Sequence, residues 1–120
     1  MSSFRPERVA EQIHQEATQL VLHRIKDPRV AGVTLTGVRV SRDLSLARIY
    51  FTVTDLDTLD AAQRGLKSAA PFIRRELSQI MRLRYTPEIK FQFDESVSRG
   101  QRIEELLRQA GVQGEDQDAE

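Results

Sequence analysis

The chain has 120 residues, with 18 Lys and Arg against 18 Asp and Glu, two His, no Cys and 39% hydrophobic types. That length builds one compact domain around one core, and the missing thiols exclude disulfides, a cysteine nucleophile and cysteine-based zinc sites, which suits a reducing cytoplasm. No apolar run approaches the roughly 20 residues of a membrane span, and Met1-Ser2-Ser3-Phe4-Arg5 lacks the apolar stretch of a signal peptide, so a soluble cytoplasmic protein with no membrane partner is expected.

The formal net charge of zero conceals an asymmetry. All 18 basic residues precede position 111, while Glu115, Asp116, Asp118 and Glu120 follow it, so 18 basic against 14 acidic residues give residues 1–110 a formal +4. Fifteen of the basic residues are Arg and three are Lys. Arg presents a planar fork that matches phosphate and stacks on bases, which points weakly to nucleic acid; a GC-rich genome produces the same bias.

Residues 6–26 place Val9, Ile13, Ala17, Leu20 and Val21 on one helical face and Arg8, Gln12, Gln15, Gln19, His23 and Lys26 on the other. The run Lys26-Asp27-Pro28-Arg29-Val30 ends that helix, because Pro cannot extend it and disfavours helical geometry at Asp27. Lys26 and Arg29 are then expected in solvent at the negative end of the helix dipole, as a polyanion contact or simply as a well-made helix end.

Over 33–41 the apolar residues alternate as Val33 and Leu35, slip register at Thr36-Gly37 and resume as Val38 and Val40, which predicts a β-bulge. Ser41-Arg42-Asp43-Leu44-Ser45 supplies turn chemistry, and Ala47, Ile49, Phe51 and Val53 alternate with Arg48, Tyr50 and Thr52, completing a hairpin with one apolar face.

Asp55-Leu56-Asp57-Thr58 can cap a helix carrying Leu59, Ala62, Leu66 and Ala69 inward. A second helical stretch starts at Pro71, with Ile73, Leu77, Ile80 and Met81 inward, and Ala69-Ala70-Pro71 marks a break or kink between the two. Thr86-Pro87 stops it, Ile89, Phe91 and Phe93 alternate as a third strand, and residues 99–110 can add a last helix. An acidic disordered tail is expected over 111–120, leaving 1–110 as the domain.

The order α-β-β-α-α-β-α predicts an α+β domain of the KH type II kind, a three-stranded mixed sheet with helices on one face. Arg39, Arg48, Tyr50, Lys90 and Gln92 would line the open face, where Tyr50 could stack a base. No nucleophile with its base is legible, and His14 and His23 stand nine residues apart on a helix, on opposite sides of it. There is no phosphate-binding glycine loop or metal spacing. Catalysis, cofactors, metals and a small-molecule substrate are therefore not expected. The densest cations are Arg74, Arg75, Arg82 and Arg84, interrupted by Glu76; they are a solvated face or a phosphate site beside the expected kink.

Taken together, Arg8-Val9, Lys26-Asp27-Pro28-Arg29-Val30, Val40-Ser41-Arg42-Asp43-Leu44, Ala47-Arg48-Ile49-Tyr50 and Met81-Arg82-Leu83-Arg84-Tyr85-Thr86-Pro87-Glu88-Ile89-Lys90-Phe91 resemble the bacterial ribosome-binding factor A family. The resemblance covers roughly residues 4–108. It implies a KH type II domain that binds the small ribosomal subunit and its rRNA late in assembly, aids 16S rRNA maturation, matters most in the cold and catalyses nothing. Where the family carries an Ala-x-Gly kink, this chain has Ala69, Ala70 and Pro71, so the backbone approach is reduced and binding should rest on Lys26, Arg29, Arg74, Arg75, Arg82 and Arg84. The protein is expected to be a monomer. A KH-like adaptor acting mainly through protein contacts is the alternative; steep salt dependence would separate the two.

Overall fold

The computed structural model describes residues 5–96. The expected last helix over 99–110 and the acidic tail over 111–120 lie outside the described residues. Helix α1 spans Pro6–His23 and a 3-10 turn spans Pro28–Val30; strands β1 (Val33–Val40) and β2 (Leu46–Val53) follow. A second 3-10 turn, Leu56–Thr58, leads into α2 (Leu59–Met81), and β3 (Glu88–Phe93) ends the described elements.

The sheet order is β1-β2-β3, with β1 and β2 antiparallel and β2 and β3 parallel. A parallel pair needs a long crossover, and α2 is that crossover. The register slips between Leu35 and Gly37, where the alternation of apolar residues predicts a bulge. Along β2, buried Ala47, Ile49, Phe51 and Val53 alternate with half-buried Leu46, Arg48, Tyr50 and Thr52. The buried set meets Val9, Ile13, Ala17 and Leu20 of α1 and Ala62, Leu66, Ile73 and Leu77 of α2 in one core. Both helices therefore cover the same face of the sheet, and the fold is the α+β arrangement expected. Phe51 and Phe93 meet edge-on with ring centroids 6.0 Å apart.

Three local expectations are corrected. Helix α1 ends at His23, not Lys26: the amide N–H groups of Arg24 and Ile25 both donate to the Leu20 carbonyl, and Ile25 turns back onto the core. Lys26 consequently lies beyond the last turn. The two central helical stretches are one helix, continuous through Pro71. Pro71 is on the exposed side, so its ring meets solvent while Leu66, Ile73 and Leu77 hold both halves against the sheet. Ile80, expected inward, is 42% exposed near the helix end.

A candidate nucleic-acid interface

Helix α2 has three working flanks. Ala62, Leu66, Ile73 and Leu77 enter the core. A second flank faces the end of α1 and the first 3-10 turn: Gly65 lies against Arg29 and Val30, Glu76 stands 3.5 Å from the Arg24 guanidinium, and Arg24 also lies over Phe72, 5.6 Å from its centroid. The third flank, through Gln63, Lys67, Ala70, Pro71, Arg74 and Ser78, forms one wall of a groove of about 1000 Å³. Arg84, Tyr85 and Thr86 of the exit loop and Glu88, Lys90 and Phe91 of β3 form the rest.

The loop wall is built by the way α2 stops. Arg82 adopts the left-handed conformation at φ 55° and its N–H donates to the Ser78 carbonyl, so the chain reverses one residue after Met81. Arg74 then reaches across twelve residues, and its Nε and Nη2 donate to the Thr86 carbonyl at 3.3 and 2.9 Å. Pro87 is fully buried and anchors the far end of the loop. Arg84 lies over Tyr85, 5.5 Å from the ring centroid, and leaves that ring 76% exposed.

Five cations, Lys67, Arg74, Arg75, Arg84 and Lys90, therefore line the groove against one carboxylate, Glu88, whose Oε2 is 4.0 Å from Lys90 Nζ. An exposed pair at that distance neutralises little. The arrangement suits a polyanion, with guanidinium forks for phosphate and an exposed aromatic ring for a base. Among the described residues no three His, Cys, Asp or Glu side chains converge on a metal site, and no helix is long and apolar enough to cross a membrane. Half-buried His14 places Nε2 3.1 Å from the Leu35 carbonyl, while His23 is exposed.

The groove brings together Arg74, Arg75 and Arg84 from the expected set, with Ala70 and Pro71 beneath them. Ala69 instead packs on the core, and Arg82 caps the helix outside the groove lining. Lys26 and Arg29 are separated from it. Arg29 packs at Gly65, and nine residues turn a helix by about 900°, so Gly65 and Arg74 are on opposite sides of α2. The Arg29 fork is also occupied: Nη2 lies 2.7 Å from Asp27 Oδ2, and Nε lies 3.1 Å from both Asp27 oxygens. That contact holds the Asp27 carboxyl below the usual carboxylate range and raises the Arg29 guanidinium.

Sequence reasoning passed over Lys67 and Tyr85 and assigned Lys90 only to the open sheet face. Lys67 was findable, since it stands seven residues before Arg74 and two helical turns bring such positions onto one flank. Tyr85 carried no comparable signal, because its position depends on the reversal at Arg82.

Residues 5–107 match the family model described as ribosome-binding factor A. A protein of that name from Trichlorobacter lovleyi is 45% identical over 121 aligned residues, covering 100% of this chain and 98% of the relative. One from Geotalea daltonii is 46% identical over 108 residues, covering 89% and 88%. The fold is similar to the crystal structure of ribosome-binding factor A from Thermus thermophilus, with TM-score 0.66, 22% identity and coverage of 74% of this chain and 96% of that one. A solution structure from Thermotoga maritima, a putative ribosome-binding factor A, gives 0.65 at 24% identity, covering 77% and 89%. A homology model of the Thermus thermophilus factor, fitted into a cryo-EM map of its 30S complex, gives 0.55 at 23% identity, covering 70% and 93%. With the family model spanning nearly the whole chain and close to half of all positions shared with full-length relatives, this protein belongs to the ribosome-binding factor A family.

Proposed function

We propose that this protein binds the free small ribosomal subunit through its rRNA, assists late maturation of 16S rRNA in the cytoplasm, and does so as a monomer without catalysis. Membership of the family supports the ribosomal partner, as does the Thermus thermophilus relative fitted in a 30S complex. The observation that carries the RNA reading is the groove where Lys67, Arg74, Arg75, Arg84 and Lys90 face one carboxylate beside exposed Tyr85. Lys26 and Arg82 are exposed cations outside it, available as outlying phosphate contacts, whereas Arg29 is committed first to Asp27. A KH type II reading would put the contact on α2 and β3, with side-chain forks in place of a glycine loop. A role most needed in the cold is part of the same proposal.

Gradient co-sedimentation tests it. Full-length protein should travel with free small subunits at low salt, much less with complete ribosomes, and should dissociate steeply as salt rises because neutralised phosphates reclaim counterions. Equal occupancy of complete ribosomes would overturn the assembly role, and salt-insensitive binding would favour a protein-contact adaptor.

A further inference from the structure

On the sheet face away from the helices, two cross-strand rows stand side by side. Arg39 of β1, Arg48 of β2 and Lys90 of β3 are register partners, and in the next row Gly37, Tyr50 and Gln92 are partners. Neighbouring strands are about 4.8 Å apart and alternate residues share a face, so three cations lie abreast beside the tyrosine. Arg48 is held in place by an Nη1 donation to Gln92 Oε1 at 2.9 Å. Among the described residues of the strands, acidic side chains stand at the rims, with Glu88 4.0 Å from Lys90 and Asp94 accepting from the Thr36 hydroxyl at 2.7 Å.

Gly37 is the telling residue. Glycine inside a strand lowers stability, and it is normally kept where φ is positive or a neighbour leaves no space. Neither applies here: a Cβ at position 37 would meet nothing within 4 Å and its φ is not in the positive range, so the glycine marks the bulge alone. At that bulge Gly37 is the register partner of half-buried Tyr50 and sets no side chain beside it. Lys90 belongs both to this row and to the groove, so the two surfaces are continuous over the edge strand β3.

We propose that the open sheet face is a second RNA contact, at which Tyr50 stacks an unpaired base and Arg39, Arg48 and Lys90 hold the flanking phosphates of a single-stranded segment. This rests on the RNA reading of the groove and extends it around β3. Base stacking on an aromatic ring tolerates any sequence and is strong enough to register in affinity.

The test is an NMR titration of isotope-labelled full chain with an unstructured oligouridine of about ten nucleotides, within the span of a single-strand site. Amide shifts are expected at Gly37, Arg39, Arg48 and Tyr50, and Tyr50→Leu should weaken binding roughly tenfold. Gly37→Val is the second variant: it should keep or raise the melting temperature, since a β-branched residue suits a strand, yet weaken oligouridine binding by crowding the ring. Shifts confined to the groove, or both variants binding like wild type, would overturn the proposal. So would a response of the same amides to RNA-free small-subunit proteins and not to oligouridine. Wild-type co-sedimentation with subunits tests the broader function separately, so a failure there leaves the oligouridine map to decide this inference by itself.

Discussion

Gly65 in the middle of α2 lies directly against Arg29 of the first 3-10 turn: a Cβ at position 65 would stand 3.1 Å from the Arg29 Cβ and 3.0 Å from Val30 Cγ1. Glycine in a helix interior costs about 1 kcal/mol relative to alanine, so this contact is what keeps it there. Val30 is 4% exposed and cannot retreat, and Arg29 is tied to Asp27. Overpacking a filled site costs about 1–3 kcal/mol, more than the propensity gain. Gly65→Ala should therefore lower stability by roughly 1 kcal/mol, read as an earlier urea midpoint with an unchanged slope. A later midpoint would show that the turn yields freely.

Pro71 gives the opposite expectation. It leaves the Lys67 carbonyl without its helical donor, on the flank that lines the groove, and proline in a helix interior is about 3 kcal/mol less favourable than alanine. Pro71→Ala should stabilise the protein, by about 1–3 kcal/mol, with little change in subunit affinity. A more stable variant that loses binding would instead make the proline ring or the open Lys67 carbonyl part of the RNA contact.

The elements whose physics is local were legible in the sequence. Alternation in β2 and the bulge at Thr36-Gly37 each follow from a few neighbouring residues, and the structure reproduces them, whereas α1 stops at His23, before Pro28 can act. The continuity of α2 was not, because the core contacts of Leu66 and Ile73 override the local preference of Pro71. Arg82 was read as a helix-face residue since no glycine marks the left-handed position at which the chain reverses. Half of the candidate site depends on that reversal. Its α2 wall, through Lys67 and Arg74, is written in helical spacing, whereas Arg84, Tyr85 and Lys90 join it only after the chain has folded back.

Acid should loosen the connecting turns before the core. Asp27 is held low mainly by the Arg29 side chain and also by the Arg29 amide; Asp43 is held low first by the Ser45 and Ser41 hydroxyls and then by the Ser45 amide. Both folded values lie below the unfolded one, so their contribution is fully present above the ordinary Asp value of about 3.9 and is lost as pH falls through the folded values. Melting temperature should be insensitive to these groups at neutral pH and fall below about pH 4, and Asp27→Asn with Asp43→Asn should flatten that acid decline. An unaltered decline in the double variant would assign it to other carboxylates.

The last prediction separates the two flanks of α2. If the groove is the RNA contact, Arg75→Ala with Arg84→Ala should weaken binding to small subunits and make the slope of log affinity against log salt shallower by about 2, one for each lost phosphate contact. Both residues are exposed, so stability should stay within about 0.5 kcal/mol of wild type. Arg74 is left intact in that pair because its hydrogen bonds to the Thr86 carbonyl hold the loop that presents Tyr85. Lys26→Ala, on the chain segment that leads into the opposite flank, should change the slope by less than about 1. Binding lost through Lys26→Ala and kept in the Arg75 and Arg84 pair would move the RNA contact to the side of α2 that carries Gly65.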